Sequence, residues 1–154
     1  MKDKISSLCV LIEENPKFCV KNLDSLLSIS RNRDQKFSYV ALEALKTLMT
    51  KNLKTHFLGA CLFQTYVQKK PDMTETDLLD AYLCHGLKMF LSKFYKVLED
   101  KLKDPLDYFR KKTIDFVCAF AKEFQDLENN GFLKLIVNKL GDSEEHIIQS
   151  LLKT

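Results

Sequence analysis

An all-α fold follows from three observations on this 154-residue chain. Four Gly and three Pro are too few for the turn-rich architecture of a sandwich or barrel. Leu, Lys, Glu, Phe and Ala fill long helix-compatible stretches, and their apolar residues recur at helical spacing. Short acidic turns at Asp104 and Asp142, 38 residues apart, each follow one apolar helix and head another. That separation is close to the period of HEAT-type helix pairs, and Asp34 heads a looser third copy. The predicted architecture is an α-solenoid of HEAT-like helix pairs with about seven helices, in one helical-repeat domain over 1–154 that forms the first part of a longer array.

The first helix is expected over 3–14, with Ile5, Leu8, Cys9 and Ile12 on one face. Asn15-Pro16 ends it and opens the next, since Asn is a good N-cap and Pro fits the first helical position. That second helix presents Cys19, Leu23, Leu26 and Leu27. After a polar turn at Arg31–Arg33, Asp34 caps a third helix with Phe37, Val40, Ala41, Ala44, Leu45 and Leu48 as its stripe. A helix over 53–69 carries Leu53, Phe57, Ala60, Cys61 and Tyr66, weakened at Gly59.

Lys69-Lys70-Pro71-Asp72 reads as an extended link, and Thr74-x-x-Asp77 as a capping box with Asp in place of Glu. A helix of nearly thirty residues follows, to about Lys103, burying Leu79, Leu83, Leu87, Phe90, Leu91, Phe94 and Leu98. Asp104-Pro105 repeats the cap-plus-Pro pattern and opens a helix with Leu106, Phe109, Thr113, Phe116, Val117, Phe120 and Phe124 inward. Arg110, at the edge of that arc, needs a carboxylate partner, and Asp104 and Asp142 are the candidates. A helix over about 126–140 buries Leu133, Ile136, Val137 and Leu140 and stops at Gly141, which accepts positive φ. Asp142-Ser143-Glu144-Glu145 then caps a final helix. Its Ile147, Ile148, Leu151 and Leu152 are candidate partner-interface residues, because nothing later in the chain covers them.

At 45% apolar and 29% charged, the composition is that of an ordinary soluble domain. No apolar run approaches the roughly 18 residues needed to cross a bilayer, and the first twenty residues hold Lys2, Asp3, Lys4, Glu13 and Glu14 in place of a signal sequence. An intracellular protein that meets no membrane is expected. The five cysteines are odd in number and lie in apolar helical patterns without CxxC, so they read as small core residues. His56, His85 and His146 lack ligand spacing, the glycines are isolated, and no nucleophile, base and oxyanion donor come together. No enzyme activity, cofactor, metal or small-molecule substrate is expected.

The net charge of +3 is unevenly placed: residues 88–112 hold eight basic groups against four acidic ones, leaving the remainder nearly neutral. At 100° per residue Lys88, Lys96 and Lys103, with Lys93 more peripheral, fall opposite the long helix's apolar stripe. Such a face is commonly just solvated; it also suits phosphate contact, which needs only clustered cations on a rigid element. Lys111, Lys112 and Lys139 complete the candidate RNA-binding set, although Lys139 is equally suited to the last turn of its helix. Tyr95 and Tyr108 are candidates for stacking or for packing.

Asp3-Lys4-Ile5-Ser6-Ser7-Leu8, Leu23-Asp24-Ser25-Leu26-Leu27, Ala41-Leu42-Glu43-Ala44-Leu45-Lys46, Lys103-Asp104-Pro105-Leu106 with Arg110-Lys111-Lys112, and Ile136-Val137-Asn138-Lys139-Leu140-Gly141-Asp142 occur in this order. In that order they resemble the N-terminal helical-repeat portion of the CCAAT-binding-factor family of nucleolar complex proteins, and the last motif is the most specific. The resemblance implies a nucleolar scaffold acting on precursor rRNA in large-subunit assembly intermediates, beside a nucleolar complex protein 2 type partner. Two other functions compete with it. A protein-binding adaptor would use its lysines only for solubility, and sequence-specific DNA binding would need a helix-turn-helix, zipper or zinc finger that the sequence does not show.

Overall fold

The computed structural model describes residues 1–127 and 130–139, together with Gln149. Among these residues the fold is all-α, with eight α-helices, one 3-10 turn, one π-helical turn and no strand. The chain divides into two compact units, Met1–Ser92 and Lys93–Thr154.

The first unit opens with α1 (Lys2–Glu14), which buries Ile5, Leu8 and Ile12 as its spacing requires. Asn15 then makes no side-chain cap, and Pro16 begins a single 3-10 turn, Pro16–Phe18, so α2 (Val20–Ser30) starts four residues later than the Asn-Pro pair suggested. Leu23, Leu26 and Leu27 of α2 are buried, and α2 packs on α3 (Gln35–Thr47), with α1 against both. Asp34 caps α3 as expected, accepting from Lys36 N at 3.0 Å.

The buried face of α3 is rotated from the expected stripe. Ser38, Tyr39, Ala41, Leu42 and Leu45 are buried, while Phe37, Val40 and Ala44 are half-buried. The cause is polar: the Ser38 hydroxyl donates to the Ser30 carbonyl and the Ser30 hydroxyl to Leu27 O at 2.7 Å, which satisfies two buried serines and turns Ser38 toward α2. A π-helical turn, Leu48–Asn52, closed by Leu53 N on Leu48 O at 2.9 Å, places Leu48, Met49 and Leu53 in the core.

The helix expected over 53–69 is two: α4 (Lys54–Leu58) ends at Gly59, and α5 (Phe63–Lys69) begins after Leu62. Only Leu53 and Phe57 of its expected apolar set are buried, with Ala60, Cys61 and Tyr66 half-buried. Four residues of non-helical chain at Gly59–Leu62 break the apolar periodicity.

The long helix α6 (Glu75–Leu102) runs 28 residues, begins in the first unit and continues into the second. Its start is the capping box read from the sequence: Thr74 N donates to Asp77 Oδ2 at 3.0 Å and Asp77 N to Thr74 Oγ1 at 3.3 Å. Leu79, expected inside, is 51% exposed near the start of the helix, while Leu83 and Leu87 of the same stripe are buried as expected.

In the second unit, α7 (Asp107–Glu123) and α8 (Gly131–Lys139) pack together. Its core is aromatic. Phe94, Phe120, Phe124 and Phe132 are all fully buried, with Phe120 and Phe132 stacked at 5.1 Å and Phe94 edge-on to Phe120 at 5.3 Å. Residues 126–130 are not helical where described, so α8 starts later than expected. Asn130 is the reason: its Oδ1 accepts from Phe132 N at 3.0 Å and Leu133 N at 3.4 Å, and its Nδ2 donates to Phe124 O. That start sets a different inner face, Phe132 and Leu135, and leaves Leu133 and Val137 exposed. Leu106, also expected inside, is 57% exposed, since it stands outside the helix as the residue before Asp107. The terminating Gly141, the turn at Asp142 and the interface candidates Ile147, Ile148, Leu151 and Leu152 lie outside the described residues.

Candidate nucleic-acid interface

The lysine candidates separate by unit and by exposure. Lys88 belongs to the first unit and is half-buried; Lys93, Lys96, Lys103 and Lys111 of the second are exposed, and Lys112 and Lys139 are half-buried. On α6 the exposed Lys96 stands across the helix from the buried Phe94, Leu98 and Leu102, and the exposed Lys93 at the edge of that arc, one turn from the buried Val97. Lys103 follows the last helical residue, where the carbonyl ends of the helix favour a cation.

Acidic neighbours temper the field. Lys103 Nζ pairs with Glu99 at 3.1 Å, and Lys111 Nζ with Asp107 at 3.1 Å, both in the open, where such pairs contribute about 0–1 kcal/mol. Lys96 makes no ion pair among the described residues and is the least encumbered cation of the set. Lys101 turns inward, and burial pushes its ammonium below the usual lysine range while Asp104 works against that shift. Lys139 lines an apolar dimple of about 10 Å³ with Leu135 and Ile136, its stem covering apolar surface.

Arg110 is tied both to the turn before α7 and to the first turn of that helix. Its Nη1 donates to the carbonyls of Asp104 and Pro105 at 2.8 and 3.1 Å, and its Nη2 to Asp107 Oδ1 at 3.2 Å. Asp104 does not cap α7: its carboxylate accepts from Leu106 N at 2.9 Å, forming a turn before the helix, and the N-cap position falls on Leu106. Pro105 pushes the helix start downstream. Asp107 is a carboxylate partner of Arg110, and its place three residues earlier on the same helix is a spacing that the sequence already displays; Asp104 meets Arg110 through its carbonyl, and the other candidate, Asp142, lies outside the described residues.

Of the tyrosines, Tyr108 is 68% exposed beside Lys111 and Lys112, whereas Tyr95 packs. Its ring lies 4.8 Å edge-on from Phe132, and burial pushes its hydroxyl up to about 12. Cys19 and Cys118 are core thiols raised by burial, Cys19 to about 11. Cys61 and Cys84, 23 positions apart, are brought together by the fold, which no spacing rule would have found. Among the described residues no cluster of His, Cys, Asp and Glu is placed to hold a metal, and no helix is long and apolar enough to cross a membrane.

Comparison with known proteins bears on this lysine-bearing helical surface. The chain is 30% identical over 166 residues to the ribosome biogenesis protein NOC1 of Chaetomium thermophilum, a match covering 96% of this chain and 16% of that protein. It resembles a ribosome biogenesis factor. An uncharacterized protein of Schizosaccharomyces pombe is 29% identical over 153 residues, covering 94% of this chain and 17% of its own length. Protein SLOW WALKER 2 of Arabidopsis thaliana is 26% identical over 145 residues, covering 92% and 14%. The chain thus spans about a sixth of the length of these curated relatives. No protein-family model matches it, and no solved structure does.

Proposed function

We propose that this chain is a non-enzymatic scaffold of ribosome biogenesis whose exposed lysines contact phosphates of precursor rRNA in large-subunit assembly intermediates. The observation that carries the reading is the conjunction of exposed Lys93 and Lys96 on α6, Lys103 just beyond its end and Lys111 on α7 with likeness, across nearly the whole chain, to a ribosome biogenesis protein. Helices that commit their apolar arcs to a core leave fixed cations outside, and fixed cations release counterions on meeting RNA. The motif resemblance to the CCAAT-binding-factor family supports the same reading. It extends it to a nucleolar location, a HEAT-like solenoid and a nucleolar complex protein 2 type partner.

The test is salt-dependent RNA binding. Lys96, Lys103 and Lys111 replaced together by Gln leave melting unchanged, because each side chain is exposed, while the slope of log affinity against log salt flattens by about 0.7 to 0.9 for each phosphate that is no longer neutralised. An unchanged slope in a folded triple variant, or normal entry of that variant into ribosomal precursors, assigns the chain to protein-binding adaptor work instead. The exposed Leu133 and Val137 on α8 favour that second reading, since paired apolar side chains on one helix face suit a protein partner.

A further inference from the structure

The first unit holds a cleft that the lysine surface does not use. Its open volume is about 510 Å³, within the range of sites that take small molecules or single groups of a polymer. The floor is a close helix crossing. A Cβ added at Gly86 of α6 would stand 2.9 Å from Val20 Cγ2, so the absence of a side chain there lets the start of α2 approach α6. Phe63 of α5 and Tyr82 of α6 supply two aromatic walls. Tyr82 is 75% exposed, an uncommon position for a large ring with nothing to cover it. The polar groups are Lys21 and Asp24 from α2 and His85 from α6. His85 Nδ1 is buried and makes no hydrogen bond, so nothing on that side fixes the ring, and a flip that exchanges Nδ1 with Cδ2 and Nε2 with Cε1 breaks no bond there.

A flat π-face, an ammonium, a carboxylate and an imidazole around one cleft match the parts of a nucleotide. An aromatic wall takes the face of a base whatever its identity, a lysine takes the neighbouring phosphate, and a carboxylate or imidazole takes a polar base edge. A duplex offers none of its base faces, so the fit is to an unpaired base. We propose that this cleft is a stacking subsite for one unpaired base of an RNA strand, with Tyr82 as the stacking face and Lys21 on the adjoining phosphate. The proposal rests on the RNA reading above, yet on residues none of which belongs to the lysine surface. Stacking and phosphate contact leave different signatures: the first is nearly independent of salt, and the second is not.

The test uses the full chain and a labelled single strand of about ten nucleotides, alone and annealed to its complement. The single strand binds more tightly than the duplex. Tyr82→Ala weakens single-strand binding by about tenfold with its salt slope unchanged, Tyr82→Phe binds as the parent does, and Lys21→Gln flattens the slope by about 0.7. The exposure of Tyr82 keeps both variants folded, which melting checks. Intact RNA binding by Tyr82→Ala, or equal affinity for the duplex, overturns the subsite and leaves the lysine surface standing. Adenosine monophosphate displacing the strand at matching concentration makes the cleft a free-nucleotide pocket and overturns it too. So does retained RNA binding by Tyr82→Ala with loss of a co-purifying protein. A parent chain that binds no RNA overturns both this subsite and the proposed function.

Discussion

Arg110 sits where an unpartnered cation would be costly, and its guanidinium meets two backbone carbonyls and Asp107 at once. Those bonds tie the turn at Asp104-Pro105 to the first turn of α7. Arg110→Ala should therefore cost about 1–3 kcal/mol by leaving the part-buried Asp104 carbonyl without its donor. Asp104→Ala, which loses the exposed turn bond from Leu106 N, should cost less, about 0.5–1 kcal/mol. Denaturant midpoints rank the two, and the opposite order would place the main support on the Asp104 carboxylate. Asp77 carries a second prediction. A hydrogen bond from Lys70, then those from Thr74 N and the Thr74 hydroxyl, hold its carboxyl at about 2, below its usual 3.8. Because the folded value is the depressed one, its stabilising contribution is complete above about pH 4 and disappears as pH falls from there toward about 2. Asp77→Asn should lessen the loss of stability across that window, read by circular dichroism during acid titration, while lowering stability at neutral pH.

At the scale of elements, two glycines give opposite expectations. Gly59, where α4 stops, has φ of −84°, and a Cβ there meets only Thr55 O at 3.6 Å and His56 O at 3.8 Å. Gly59→Ala should therefore stabilise the protein by about 0.4–1 kcal/mol by restricting the unfolded chain. At Gly131, the first residue of α8, a Cβ would fall 2.5 Å from Tyr95 Cε2, and that ring is held edge-on against Phe132. Gly131→Ala should cost about 1–3 kcal/mol and disturb the aromatic core of the second unit, visible as a changed near-ultraviolet tyrosine signal. A melting temperature that falls for Gly59→Ala or holds for Gly131→Ala would contradict these accounts. Helix starts differ in the same way. Asp34 and Thr74-x-x-Asp77 are legible in the sequence because cap and helix are neighbours along the chain. Asn130 is not, because its cap also needs the Phe124 carbonyl, which only the folded turn brings to it.

For the whole molecule, each unit has its own core, in Met1–Ser92 built from aliphatic side chains around the Phe57–Phe90 ring pair and in Lys93–Thr154 centred on the cluster of Phe94, Phe120, Phe124 and Phe132. Phe120→Ala, at the centre of the second, should cost about 3–5 kcal/mol through lost apolar burial and the cavity left behind, measured by denaturant unfolding. A much smaller loss would mean that the rings around it collapse into the space. The sequence by itself determined the helical class, the existence and approximate limits of α1, α2, α3, α6 and α7, and the exposure of Lys93, Lys96 and Lys103, though not that Lys88 is half-buried. Apolar spacing and caps act over a few residues, and a helix that buries one arc must show the other. Tertiary structure alone decided the rest. It chose which arc of α3 and α8 faces inward, broke the helix at Gly59–Leu62, gave Arg110 its carbonyls, brought Cys61 to Cys84, and gathered Lys21, Phe63, Tyr82 and His85 around one cleft. Each of these depends on residues distant in sequence competing for the same space and the same hydrogen-bond donors. Local periodicity carries no record of that competition.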